Sequence, residues 1–284
     1  MIKVLHAGIY NTVQDQGRPG YAKWGIPVSG VMDQYAARLA NTLVRNQASD
    51  ALIEITLGQG KFQFSERTDF CLTGGDYSPK LDEEVLETNR VYTAKKGAIL
   101  TFGKRNYGAI SYLAIPGGIR SEVVLESRSF SKGITQNRLE KGDELKILRK
   151  QTQSEQGYAR IGMREEHYHS PTLSCFRGPE FDQLNEKQKQ RLFALFTLSK
   201  DRNRVGYRLN ESVENELKPI LTSAVLPGTV QLTPGGKLIV LMRDGQVTGG
   251  YPRVLQLSDD AISALSQKMA GVEVRFEINE HKSK

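Results

Sequence analysis

The chain has 284 residues, 38% of them hydrophobic, enough to bury the cores of one large domain or two of ordinary size, so a disordered chain is excluded. Its longest apolar runs, such as "LIVLM" at Leu238–Met242, are far shorter than a membrane span, and "MIKVLHAGIY" lacks a signal-peptide pattern, so the expected location is cytoplasmic, with no membrane partner. The net charge of +7, 39 Lys+Arg against 32 Asp+Glu, is dispersed among acidic residues rather than gathered on one aromatic-laced face, which argues against a nucleic-acid partner.

Along the chain, the first concentration of turn chemistry is "VQDQGRPGYAKWGIPVSGVMD", Val13–Asp33, which leads into helical periodicity over Asp33–Asn46 with Ala36, Leu39, Ala40, Leu43 and Val44 on one stripe. Strand patterns follow in "ALIEITLG", "KFQFS", "DFCLTGG", "GAILTFG", "AISYLAIPGG" and "DELKILRK", short runs rich in β-branched and aromatic residues and punctuated by Gly, Asp or Asn. The polar stretch Arg149–Pro171 reads as a connector, placing domains at 1–150 and 171–284 with residues 151–170 between them. Two further helices are predicted, at roughly Phe181–Leu198 and at Ser258–Ala270, with Ser258 as the N-cap. The spacing favours a mainly β, barrel-like fold over βαβ crossovers. Cys71 and Cys175 sit in apolar strand runs without CxxC spacing and are read as buried, reduced thiols.

The halves echo each other: "RPGYAKWG" and "NRVGYRLN", "EITLG" and "QLTPG", "LTGGD" and "VTGGY" occur in the same order. This favours two similar β domains, with the cleft between them as the expected ligand site.

Several chemistries find no motif. There is no GxxxxGK[ST], no GxGxxG after a strand, and Ser29 in "IPVSG" lacks the glycine of a nucleophile elbow. "HYH", His167–His169, has metal-ligand spacing for a strand but no third ligand nearby, so no metal site is assigned. Catalysis therefore falls to Asp, Arg, Tyr, Thr and backbone amides. In "QDQGRPGY", Arg18 is either an anion clamp or a strut that pairs with Asp15 to pin a glycine-shaped loop. Ser29 and Asp33 either attract an anion to the helix start or cap it. The paired glycines of "LTGGD", "IPGGI" and "VTGGYP" are barrel corners or exposed amides, and "DGQVTGGYPR" is a site rim or a hairpin loop.

Taken together and in order, "VQDQGRPGY", "GIPVSGVMD", "AAxxANxLVxN" at Ala36–Asn46, "ALIEIT", "YLAIPGGI", "DRNRVGYRL" and "PGTVQLTPGG…IVLMRDGQVTGGYP" resemble the biotin-dependent carboxyltransferase family, also called allophanate hydrolase subunit 2, nearest to its branch of 5-oxoprolinase C-type subunits. The resemblance implies two tandem cyclophilin-like β-barrel domains. It implies partners too: a small subunit of the 5-oxoprolinase B type and a larger one of the A type, together opening 5-oxoproline to L-glutamate with ATP, bound with Mg and in company with another subunit. Alternatives within the family are carboxyl transfer from carboxybiotin to urea, the one reading that calls for biotin, and a non-catalytic regulatory partner of a kinase-inhibitor-like subunit. Phosphoryl activation of a lactam oxygen needs anion clamps more than a histidine base. The matching positions imply catalytic roles for Asp15, Arg18, Asp33 and Arg208, the two arginines holding anionic groups and the aspartates orienting Arg18 or a metal. They imply substrate binding by Ser29, Arg202, Tyr207, Gln231, Thr248 and Tyr251. Three positions depart from the family pattern: Arg45 replaces the glycine of "LVGN", "NE" follows "GYRL" where glycine is common, and Gly245 replaces an arginine after Asp244.

Overall fold

The computed structural model describes residues 1–135, 138–147, 162 and 164–279. Residues 148–161 and 163, which take in most of the predicted connector, lie outside the described residues. The chain divides into two units, Met1–Arg18 with Ser29–Arg164, and Pro19–Val28 with Glu165–Lys284. The second unit thus takes in a ten-residue stretch of the first glycine-rich loop, Pro19–Val28, which includes a 3-10 turn at Ala22–Trp24.

Unit one runs β1 (Ile2–His6), β2 (Thr12–Gln14), α1 (Gln34–Leu43), β3 (Leu52–Thr56), β4 (Lys61–Phe64), β5 (Thr68–Asp76), β6 (Lys80–Leu81), β7 (Glu84–Val85), β8 (Arg90–Ala94), β9 (Ile99–Thr101), β10 (Tyr107–Ala114), β11 (Ile119–Arg120) and β12 (Glu144–Ile147). They form a seven-stranded sheet, β11-β12-β1-β4-β9-β6-β7, and a five-stranded sheet, β2-β3-β10-β5-β8. Strand alternation sends Ile53 and Ile55 of β3, Phe70 and Leu72 of β5 and Leu113 of β10 to one face, where they share a core with Ile2, Val4, Phe62, Phe64 and Leu100 of the larger sheet. Each such side chain withdrawn from water contributes about 1.5–3 kcal/mol. The other face of the five-stranded sheet carries α1: the Cys71 thiol donates to the Ala40 carbonyl at 3.2 Å and the Thr73 hydroxyl to that of Ala36 at 2.7 Å.

Unit two comprises α2 (Glu165–His169), β13 (Thr172–Arg177), α3 (Glu186–Leu192), β14 (Phe196–Arg202), β15 (Gly206–Ser212), β16 (Ser223–Ala224), β17 (Thr229–Leu232), β18 (Lys237–Leu241), β19 (Thr248–Gly249), β20 (Arg253–Leu257), α4 (Asp259–Ser266) and β21 (Glu273–Ile278). Seven of these strands close a barrel, β13-β20-β17-β18-β15-β14-β21, sealed by the parallel pairing of β13 with β21. Buried Leu173, Leu198, Leu209, Val230, Leu232, Leu238, Val240 and Phe276 supply its core. β16 and β19 form a separate two-stranded ribbon. The architecture is mainly β with few helices, as expected.

Local differences have local causes. The predicted helix Phe181–Leu198 is a 3-10 turn, Phe181–Gln183, then α3, because Asn185 and Gln188 form a reciprocal capping box that starts a new helix. From Phe196 the period becomes two, with Phe196 and Leu198 buried, and the chain is a strand. "HYH" is helical rather than extended, so at about 100° per residue His167 and His169 diverge. Ser258 does cap α4, accepting from the Ala261 amide at 3.2 Å. Both cysteines are free and buried, and burial pushes each thiol up to about 12.

Helix α1 is capped at its C-terminal end by Val44, and Arg45 adopts φ 57°, the left-handed conformation that glycine holds without steric cost. The family glycine is thus replaced where its freedom matters. Arg45→Gly is expected to raise stability by about 0.5–1 kcal/mol in urea unfolding.

Candidate functional site

In unit one the predicted residues converge on a turn at 124–129 that sequence reasoning did not single out. Asp15 Oδ1 accepts from the Gly17 amide at 2.8 Å and from the hydroxyls of Ser127 and Ser129, each at 2.6 Å, while Oδ2 accepts from the Arg128 amide at 2.6 Å. Arg18, 1% exposed, donates from Nη2 to the Ser129 carbonyl at 2.6 Å. Both side chains therefore brace the same turn, and the guanidinium offers no exposed face to an external anion. Gly30, at φ 85°, lets the returning chain pass: a Cβ there would lie 2.8–3.0 Å from backbone atoms of Asp15, Gln16 and Gly17. Ser29 beside it is 1% exposed at φ 56°, and its hydroxyl has no hydrogen-bond partner among the described residues.

Asp33 is the N-cap of α1, accepting from the Ala36 amide at 3.0 Å. Beneath it lies a polar layer that the sequence reading missed. Strand pairing aligns Thr12, Glu54, Tyr112 and Thr73 across β2, β3, β10 and β5, so these side chains share the face covered by α1. All are at most 1% exposed. The Tyr112 hydroxyl donates to Glu54 Oε2 at 3.0 Å and accepts from the Asp33 amide at 2.7 Å, and the same Glu54 oxygen accepts from the Met32 amide at 2.8 Å. Burial, reinforced by the charges of Glu54 and Asp33, pushes the phenol well above its ordinary range and keeps it a donor. The available signal was a carboxylate inside the apolar run "LIEI".

In unit two, β pairing sets Arg208 opposite Ile239, Ile239 opposite Gln231, and Gln231 opposite Arg253, one row across four barrel strands. Because Val230 and Leu232 point into the barrel, this row faces outward. The Arg208 side chain is exposed. Gln231 is 1% exposed, covered by Gly249 between exposed Thr248 and Tyr251. Arg208, Gln231, Thr248 and Tyr251 are thus brought to one side of the barrel.

Two predicted residues are placed elsewhere. Tyr207, opposite Val240 and 5% exposed, belongs to the inward row. Arg202 stacks over Tyr207 at 5.4 Å and donates to the Lys268 carbonyl, tying β14 to the chain after α4. Sequence reasoning also missed two pairs. Arg204 grips Asp244 at 2.8 and 3.0 Å, next to the position where Gly245 stands. Arg253 grips Glu180 at 2.9 and 2.7 Å and donates from Nη1 to the Ala224 carbonyl at 3.0 Å. Hydrogen bonding from Arg253 holds Glu180 below the usual carboxylate range.

Residues 24–278 match a family described as carboxyltransferase domain, subdomain A and B. The chain is 34% identical over 288 residues to the 5-oxoprolinase C subunit of Escherichia coli (strain K12), covering 97% of this chain and 90% of that one. It is 32% identical over 290 residues to the 5-oxoprolinase C subunit of Haemophilus influenzae, covering 98% and 91%. Among solved structures, the K. lactis urea amidolyase superposes with TM-score 0.86 at 26% identity, over 97% of this chain and 18% of that one.

Tyr112→Phe leaves the Asp33 amide and a Glu54 lone pair without their partner, and is expected to lower stability by about 2–4 kcal/mol in urea unfolding. Glu180, with its lowered folded pKa, contributes stability that is complete above the unfolded value near ~4.3 and is lost as pH falls through the folded value. Thermal unfolding followed from about pH 6 to about pH 3, across the carboxylate range, is therefore expected to show a shallower acid limb for Glu180→Gln.

Proposed function

The chain belongs to the carboxyltransferase domain family, subdomains A and B, and from that premise we propose that it is a subunit of an ATP-dependent 5-oxoprolinase that opens 5-oxoproline to L-glutamate. The observation that carries this reading is the extent of the likeness: 34% identity spans 97% of this chain and 90% of a protein called the C subunit of 5-oxoprolinase. The partners on this reading are a small subunit of the B type and a larger one of the A type.

The chemical obstacle is a stable lactam, which also carries a carboxylate. Ring opening adds water across the C–N bond, so the carbonyl oxygen must be polarised and the carboxylate held. The outward row of unit two and the segment that covers it offer the groups for this: Arg208 of the row as the fixed cation for the carboxylate, with Gln231 of the row and Thr248 and Tyr251 of the covering segment as hydrogen-bonding groups. Asp15, Arg18 and Asp33 act as positioning residues, since their polar atoms hold turns and a helix start. Tyr207 and Arg202 support the barrel behind the row. Among the described residues no group of three or more His, Cys, Asp or Glu side chains is placed to hold a metal ion. On this reading ATP, with its Mg, is bound in company with another subunit of the complex.

A second reading, carboxyl transfer from carboxybiotin to a urea-like acceptor, is favoured by the family description and by the urea amidolyase fold likeness. The deciding experiment purifies the chain with the two partner subunits and measures 5-oxoproline-dependent ATP hydrolysis and glutamate release. Turnover with 5-oxoproline supports the proposal, transfer from carboxybiotin to urea without nucleotide supports the second reading, and a tight complex inactive in both assays supports a regulatory partner. Arg208→Ala is expected to assemble normally and to lose about 10- to 100-fold in kcat/KM, the loss of one charge-assisted hydrogen bond. Full activity in that variant removes Arg208 from the substrate contacts.

A further inference from the structure

The outward face of a barrel strand is an unusual place for a side chain that is 1% exposed, yet Gln231 lies there. What covers it is the β16–β19 ribbon, which stands apart from the barrel's own pairing. A Cβ on Gly249 would lie 2.5 Å from Gln231 Nε2 and 3.5 Å from a methyl of Val225, so the ribbon's backbone rests directly on the carboxamide. Gln246 approaches Oε1 at 3.5 Å, at the limit of a hydrogen bond. Nε2 has no hydrogen-bond partner among the described residues. A buried amide donor without a partner calls for an explanation, and an incoming acceptor supplies one.

The ribbon is lightly built. Its ladder is two residue pairs, Ser223 with Gly249 and Ala224 with Thr248, extended by the Val225 amide to the Val247 carbonyl and the Ile220 amide to the Gly250 carbonyl. Around it Leu221, Leu226 and Tyr251 are 99%, 60% and 38% exposed. Arg253 is its latch: Nη1 holds the Ala224 carbonyl, while Nε and Nη2 are locked by Glu180. Gly178 makes the latch possible, since a Cβ there would strike the Arg253 carbonyl.

We infer that Gln231 is the hydrogen-bond donor of a small-molecule site on the outer face of the second barrel, covered by the β16–β19 ribbon as a flap that the Arg253–Glu180 pair holds shut. The ligand enters with the flap raised and the ribbon recloses over it, so that Nε2 meets a carbonyl or carboxylate oxygen; exposed Arg208 lies two strands along the same row, about 10 Å away at the ~4.8 Å strand spacing. The ligand class is a compact acid that also carries an amide carbonyl. Its identification as 5-oxoproline rests on the proposed function; the flap and its latch do not.

Hydrogen–deuterium exchange on the assembled complex of this chain with its two partner subunits separates these points. In Glu180→Gln, amides of 220–226 and 247–251 are expected to exchange at least tenfold faster than in the parent, with β17 and β18 unchanged; equal rates, or acceleration throughout the barrel, overturn the latch. Added 5-oxoproline is expected to slow exchange in those two segments at least threefold in the parent and not in Gln231→Leu. Slowing that persists in Gln231→Leu overturns the donor assignment. A complex that turns over 5-oxoproline without slowing exchange there overturns the site while leaving the proposed function intact. A ribbon that is slowed by urea and not by 5-oxoproline overturns the proposed substrate and keeps the flap.

Discussion

The hydroxyl of Tyr112 joins the helix of the first unit to its sheet. It is one oxygen that accepts from the amide of Asp33 and donates to Glu54, while Glu54 in turn holds the amide of Met32. A buried carboxylate is tolerable only when its lone pairs are met by donors, and here they come from a phenol and from a backbone turned to present its amides. The turn depends on Ser29 and Gly30 in left-handed conformations, and Gly30 in turn lies against the backbone of Asp15–Gly17. The Asp15 carboxylate completes the chain of dependence by collecting four donors, three of them from Ser127, Arg128 and Ser129. Strand, turn and helix start are thus one hydrogen-bonded assembly, with the apolar core on the opposite face of the sheet.

The second unit meets the same requirement differently. Its barrel core is apolar, and its polar groups include the outward row from Arg208 to Arg253 and two arginine–carboxylate forks, in one of which the carboxylate, Glu180, is itself buried. Bidentate pairs of this kind fix direction as well as distance. Arg204 with Asp244 and Arg253 with Glu180 each tie a loop residue to a neighbouring segment, so the stretch "DGQVTGGYPR" is held at both ends and free to be glycine-rich between them. The echo "EITLG"/"QLTPG" places Glu54 and Gln231 at corresponding positions, each buried on a strand that leads into a turn. Glu54 is satisfied within its own unit, whereas Nε2 of Gln231 has no hydrogen-bond partner among the described residues.

Much of the fold was legible because period and punctuation are local properties. Alternation in "KFQFS" and "ALIEIT" gave strands, Ser258 and Asp33 announced helix starts, and apolar surroundings marked both cysteines as buried. The long helix expected after Phe181 failed where Asn185 and Gln188 restart the helix and where "LFTLSK" shifts to period two. Of the site residues, Asp15 and Arg18 were recognisable as loop chemistry, yet their choice between clamp and strut turned on Ser127 and Ser129, more than a hundred residues away in sequence.

Sequence by itself therefore determined the mainly β character, the principal strands, the helix caps and the family pattern, because each is written in neighbouring residues. Tertiary structure alone decided which charged groups face solvent and which hold the chain. Glu54 met Tyr112, Asp244 met Arg204, and Gln231 came under Gly249 through strand pairing and loop return. Those contacts depend on register between distant strands, where a shift of one residue sends a side chain to the other face.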